Sequence, residues 1–269
     1  MRQSGVKIMG VLNVTPDSFS DGGLFNTVES AVAQAEKLIS QGVDILDIGG
    51  ESTRPFADSV SVEDELLRVI PVIQAIRERH STPISIDTTK ALVAQKALEA
   101  GANYINDISA LRLDPEMISV VKTSSVPVII MHMQGSPADM QIKPTYENIL
   151  QEMVTFFNER IAWLVSHGVA KNRIIIDPGI GFGKTISHNL TLLKNLETFS
   201  QFGVPLLLAH SRKRFLGEIT GVVDEKNRDL ATAVVSALCV SKKIAMVRVH
   251  DVASTRQALE VAAALERGF

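Results

Sequence analysis

The chain has 269 residues, 45% hydrophobic and 21% charged, the composition of an ordinary globular protein able to bury a large core. A formal net charge of -3 and a pI near 6.1 exclude the clustered basic character of a nucleic-acid binder, so any anion must be held by local groups. The single cysteine, Cys239, forms no intramolecular disulfide and lies in the apolar run 231–240, where a core role is favoured over a nucleophile. No apolar run nears the ~20 residues of a membrane helix, and residues 1–10 lack a signal-peptide core. A cytoplasmic protein without a membrane or nucleic-acid partner is expected.

In chain order, the apolar run 7–12 leads into Asn13-Val14-Thr15-Pro16-Asp17-Ser18-Phe19-Ser20-Asp21-Gly22-Gly23. This stretch has neither helix nor strand periodicity and reads as a turn-rich surface loop or as a functional lid with Gly22 and Gly23 as its hinge. Short runs rich in Val and Ile follow at 43–48, 83–86, 103–106, 127–131, 173–176, 204–208 and 244–249. Amphipathic spacing predicts helices over 28–40, 62–78, 90–100, 115–123, 146–166, 188–200, 229–241 and 254–266. Gly42, Gly101, Gly168 and Gly203 stand where a left-handed residue closes a helix, and Pro83, Pro127 and Pro205 open the next strand.

The strand runs are apolar without alternation, the mark of strands covered on both faces. Eight βα units with no dividing linker predict a single (β/α)8 TIM barrel spanning residues 1–269. An open doubly wound sheet is the alternative. It wants a glycine-rich turn after the first strand, where this chain has Asn13-Val14-Thr15-Pro16.

A barrel places its active site at the C-terminal strand ends. The residues leaving the strands are Asn13; Asp47 with Glu51 and Arg54; Asp87; Asn106 and Asp107; His132; Asp177; Ser211, Arg212 and Lys213; and Arg248, His250 and Asp251. Each strand has a polar exit, and all are expected to converge on one mouth. Capping of the following helix is the competing explanation for a single Asp, and Asp87-Thr88-Thr89-Lys90 suits it. Asp87, Asn106 and Asp177 suit a flat heterocycle that needs several in-plane hydrogen bonds. Asn13, Arg248 and His250 fall on neighbouring strands and suit a diphosphate, with Asn13 as an oxygen ligand to Mg2+. The run from Asp177 to Lys184 is not a GxxxxGK[ST] phosphate loop; its glycines instead allow a sharp turn that leaves Phe182 over the mouth. The six histidines lack the paired spacing of a zinc site.

On these residues the chain resembles the dihydropteroate synthases, the folate-pathway members of the pterin-binding barrels, along essentially its whole length. The resemblance is carried by Met9 to Gly22, Asp47-Ile48-Gly49-Gly50-Glu51-Ser52-Thr53-Arg54-Pro55, Ser85-Ile86-Asp87-Thr88, Asn106-Asp107 and Met131-His132-Met133. Asp177-Pro178-Gly179-Ile180-Gly181-Phe182, Ser211-Arg212-Lys213 and Arg248-Val249-His250 complete it, in the family's order and spacing. It implies that 4-aminobenzoate displaces diphosphate from (7,8-dihydropterin-6-yl)methyl diphosphate, giving 7,8-dihydropteroate. It further implies that Asp87, Asn106, Asp177 and Lys213 hold the pterin, and that Asn13, Arg248 and His250 hold diphosphate and Mg2+. Thr53, Arg54 and Pro55 would lie on a second loop, with Phe19, Pro55 and Phe182 walling the aminobenzoate pocket. A homodimer is implied, with residues 231–240 as a candidate surface unless that run faces the barrel. Arg214 departs from the pattern, since many members carry Ser there to meet the aminobenzoate carboxylate. The alternatives are a catalytically silent pterin-binding paralogue and a methyltetrahydrofolate:corrinoid methyltransferase. The latter would not need the first loop or the Arg248 and His250 anion site.

Overall fold

The computed structural model describes residues 4–15, 23–52, 59–136 and 139–267. Its strands are β1 (Lys7–Asn13), β2 (Ile45–Gly49), β3 (Ile84–Asp87), β4 (Tyr104–Asp107), β5 (Val128–Met131), β6 (Ile174–Asp177), β7 (Leu207–Leu208) and β8 (Met246–Val249). They pair in parallel in the order β6-β5-β4-β3-β2-β1-β8-β7. The ring closes between β6 and β7, where Ile176 bridges Leu206 and donates its N–H to the Pro205 carbonyl at 3.0 Å. The expected (β/α)8 barrel is the observed fold. Strand β7 is shorter than the apolar run 204–208 because Pro205 has no N–H for a ladder and only its carbonyl takes part.

The helices are α1 (Gly23–Ser40), α2 (Val62–Arg79), α3 (Ala91–Glu99), α4 (Met117–Thr123), α5 (Ile149–Ser166), α6 (Ile186–Lys194), α7 (Arg214–Thr220), α8 (Asp229–Ser241) and α9 (Val252–Arg267). Helix α1 begins at Gly23 rather than 28 and α5 at Ile149 rather than 146, and two further departures have a local cause. The helix expected over 188–200 stops at Lys194, because the Asn195 side chain donates to the Thr191 carbonyl at 2.8 Å and the backbone continues as a 3-10 turn, Leu196–Phe202. Helix α7 has only seven residues before Gly221 (φ 75°), too few to show a periodic stripe. None of the helices among the described residues is long and apolar enough to cross a membrane.

The two-residue period of a strand sorts its side chains into an outer and an inner set. Outward residues such as Ile8, Leu46, Ile84, Ile105, Val128, Ile174 and Val247 form the large core under the helices. Inward, Met9, Ile45, Ile129, Ile175, Leu207 and Met246 pack into an apolar plug flanked by Tyr104. One pleat further along the same strands, the inward positions become Asp47, Met131, Asp177 and Arg248, and Asp87 and Asn106, in register with each other, stand on the strands between β2 and β5. The plug is therefore the floor of a polar chamber. Ile129 is fully buried in it, so Ile129→Ala is expected to lower the unfolding free energy by about 2–5 kcal/mol, read from urea denaturation.

Candidate active site at the barrel mouth

An ion-pair network stands at the centre of the chamber. Arg248 donates from Nε to Asp47 Oδ2 at 2.5 Å and from Nη2 to Asp87 Oδ2 at 2.7 Å. Its side chain is 18% exposed, whereas those of Asp47 and Asp87 are 0% and 8% exposed. Burial works against the guanidinium charge, but Asp47 and Asp87 more than offset it and hold Arg248 above its ordinary pKa. Asp87 is pushed up to about 7, by burial first, with Arg248 pulling it down and Asp47 pushing it further up. The other oxygen of Asp47, Oδ1, is buried with no hydrogen-bond partner among the described residues.

Asn106 lies beside Asp87 in register and donates its carboxamide N–H to Asp47 Oδ2 at 3.2 Å, which turns its carbonyl oxygen the other way. Asp177, opposite Met131, accepts the Gly179 N–H at 2.8 Å. Burial raises its carboxyl to about 6 against that hydrogen bond and the nearby Lys213 charge. Lys213 is held by an unusual turn. Arg212 adopts a left-handed backbone (φ 57°), clamped by two 2.7 Å bonds from its guanidinium to Asp229 and by Arg228 donating to its carbonyl at 3.0 Å. The Lys213 ammonium rests 4.0 Å from the centre of the Phe182 ring. Burial and the Arg248 charge lower it to about 8, so it stays charged at neutral pH.

His250 is oriented by Ser211. The hydroxyl accepts the His250 backbone N–H at 3.2 Å and lies 2.8 Å from Nδ1. The contact at Nδ1 fixes the orientation of the ring. Asn13 ends β1 half-buried and in register with Gly49, itself paired with Asp87. A wall of Ile108, Met131, Met133, Met140 and Phe182 completes the mouth, an apolar surface against which a flat ring can lie.

The structure thus brings Asp87, Asn106, Asp177, Lys213, Phe182 and Arg248 into one linked chamber. The guanidinium of Arg248 is engaged by the carboxylates, while His250 is held by Ser211, so the two anion-binding candidates have separate supports. Phe19, Thr53, Arg54 and Pro55 lie outside the described residues. Some strand exits do not face the mouth, contrary to expectation. Asp107 points outward because it follows Asn106, and its carboxylate instead holds Ser109 and Leu111 in a turn with Ala110 and Leu111 at positive φ. Asp251 caps α9 through the Ser254 N–H at 3.1 Å. Asp87 is no cap: the first N–H of α3 goes to Asp114 at 2.7 Å. Arg214 is 89% exposed and bonded to Glu218 at 2.5 Å, so its guanidinium turns away from the mouth. Asp47 and Ser211 are the site residues that sequence reasoning left without a role. Their signal was the inward parity of Asp47 two residues after Ile45, and the place of Ser211 beside Lys213.

The profile of a family described as "Pterin binding enzyme" matches residues 9–250. A dihydropteroate synthase of Synechocystis is 45% identical over 260 residues, covering 97% of this chain and 90% of the relative. The chain belongs to the dihydropteroate synthases. The structure of the Yersinia pestis enzyme with a sulfonamide drug superposes with a TM-score of 0.93 at 39% identity, covering 100% of this chain and 97% of that one. That of the Xanthomonas albilineans enzyme with 4-aminobenzoic acid gives 0.92 at 44% identity, covering 98% and 94%. This chain is accordingly a transferase of folate biosynthesis.

Removing Arg248 leaves two carboxylates buried without their cation, and Arg248→Met is expected to cost about 3–5 kcal/mol of stability, measured by urea unfolding. The pH dependence follows from Asp87. Its folded pKa of about 7 lies above the unfolded value, so its contribution favours the folded state at low pH and is lost as pH rises through 7. Without the guanidinium that pKa climbs further, so the loss is expected to be larger at pH 8 than at pH 5.

Proposed function

We propose that the chamber binds (7,8-dihydropterin-6-yl)methyl diphosphate and passes its methylene carbon to the amine of 4-aminobenzoate. The observation that carries this reading is the ring of buried acceptors, Asp87, Asn106 and Asp177, above an apolar plug and beside an apolar wall. A pterin edge presents adjacent N–H donors, and a carboxylate at the floor of a dry pocket matches them. The amine nitrogen attacks the exocyclic methylene, the bond from that carbon to the diphosphate oxygen breaks, and its electron pair leaves with diphosphate. The arylamine then gives up a proton.

An arylamine is a weak nucleophile, so departure of the leaving group dominates the barrier. Asp87 and Asp177, when ionised, favour the positive charge that develops at the pterin methylene. His250 presents its ring to the diphosphate, and Arg248, buttressed by Asp47, supplies fixed positive charge on the adjoining strand. Lys213 holds the pterin, and Phe182, whose ring lies under its ammonium, borders the space for the aminobenzoate. Thr53, Arg54, Pro55 and Phe19, outside the described residues, are assigned by the family resemblance to the exclusion of water, the competing nucleophile.

Asn13 suits Mg2+. It offers one neutral oxygen at the end of β1, and no group of three His, Cys, Asp or Glu among the described residues forms a cage that would hold a metal unaided. An ion held by Asn13, water and substrate oxygens is the usual manner of Mg2+ binding. When bound, Mg2+ neutralises charge on the departing diphosphate.

We also assign a homodimer to α8 and its surroundings. Leu230, Val234 and Leu238 are 78%, 57% and 58% exposed on one helix, next to exposed Ile219 of α7, whereas Cys239 faces inward at 1%. The run 231–240 therefore serves both sides. Leu238→Glu is expected to shift sedimentation toward the monomer. A cytoplasmic setting suits the buried, unpaired Cys239.

The deciding measurement is diphosphate release that depends on both 4-aminobenzoate and Mg2+. Release no greater than in an enzyme-free control overturns the reading, and chelation followed by added Mg2+ is expected to abolish and restore it. Pterin affinity is expected to rise with pH through about 6, where Asp177 ionises, by as much as about tenfold per unit below that point. Asp177→Asn is expected to weaken binding and flatten that part of the profile, as read by calorimetry.

A further inference from the structure

Lys184 is a buried lysine to which the reaction above gives no part. It is 3% exposed and follows the glycine loop that leaves β6. Its amine donates to the Phe182 carbonyl at 2.9 Å and to the His132 carbonyl at 3.3 Å, and lies 3.1 Å from His132 Nδ1. An ammonium has three protons, and three acceptors surround this one. Burial lowers Lys184 to about 7 against the pull of Asp177. Burial and the Lys184 charge also keep His132 neutral, so Nδ1 is available to accept.

The loop between β6 and α6 has other ties. Gly181 N–H reaches Asn189 Oδ1 at 2.8 Å, the Gly181 carbonyl accepts from Gln141, and the Gly183 carbonyl accepts from the Tyr146 hydroxyl at 2.8 Å. At Gly179 (φ 67°) a Cβ would stand 2.0 Å from the His132 carbonyl, so the two segments are in direct backbone contact. The Phe182 peptide is thus pinned at its carbonyl by Lys184, while its ring carries the Lys213 ammonium at 4.0 Å.

We propose that Lys184 is a positioning residue: by tying the Phe182 peptide to His132 it sets the Phe182 ring as the wall met by the aminobenzoate, and with it the seat of the Lys213 ammonium. This rests on the assignment of Phe182 to that wall. The chain from cause to effect is short. A hydrogen bond from a buried amine holds a peptide, the peptide aims a ring, and the ring limits where the Lys213 ammonium can sit.

Steady-state kinetics on Lys184→Met, Phe182→Ala and the double variant test it. Lys184→Met is expected to raise KM for 4-aminobenzoate roughly tenfold, the scale of a sub-ångström displacement, with a much smaller change in kcat. In the Phe182→Ala background the same substitution is expected to add nothing, because the group it positions is gone. Additive effects, or an unchanged KM in Lys184→Met, overturn the proposal while leaving the Phe182 wall intact. An unchanged KM in Phe182→Ala removes the wall assignment and the proposal together. Should Lys184→Met not fold, Tyr146→Phe loosens the same loop at the Gly183 carbonyl. It is expected to raise the same KM about two- to threefold, again only when Phe182 is present, and an unchanged value overturns the proposal.

Discussion

The structure depends on a buried guanidinium placed between two buried carboxylates. Arg248 cannot leave the chamber without stranding Asp47 and Asp87, the two buried carboxylates it bridges. Asp47 also accepts from Asn106, so one cation organises polar groups on four strands, β2, β3, β4 and β8. The result is a fixed electrostatic surface that needs no rearrangement when charge develops in a bound substrate. In the proposed reaction, the substrate cation would form where carboxylates already stand, and the anion would leave toward the side of the mouth where β8 and β1 meet.

A second constraint is the barrel's pleat. Because inward positions recur every two residues, the apolar plug at Met9, Ile45, Ile129, Ile175 and Met246 forces the next inward positions upward into the mouth. The plug excludes water from below, and burial then raises Asp87, Asp107 and Asp177 above the ordinary carboxylate range. Asp107 shows the same physics put to structural use. Turned outward by the pleat, it spends its hydrogen-bonding capacity on the strained turn that carries Ile108 into the apolar wall.

The mouth is supported by side chains whose work is local. Arg212 and Asp229 hold the turn that delivers Lys213, Ser211 fixes the ring of His250, and Lys184 with Tyr146 and Asn189 holds the loop bearing Phe182. Ser211, Arg212 and Lys184 lie next to the chemistry in sequence, which is why motif spacing highlights their neighbours as strongly as it highlights them, whereas Asp229, Tyr146 and Asn189 reach the mouth only through the fold. Separating the group that meets substrate from the group that supports it requires knowing where each side chain points.

The barrel, the order of its elements and the polar residues at its strand ends were legible in the amino-acid order alone. Those depend on local signals: apolar runs of strand length, glycines closing helices, and a polar residue at each apolar run's end. The tertiary structure decided which of those residues act together. The pairing of Arg248 with Asp47 and Asp87 joins residues up to 201 apart, and no local pattern encodes a contact of that range. It also decided that Asp107 and Asp251 serve turns and caps, that Arg214 turns to solvent, and that β7 is cut short at Pro205. Each of these outcomes is set by the direction of a side chain or the partner of a backbone group, and both are settled only when the barrel closes.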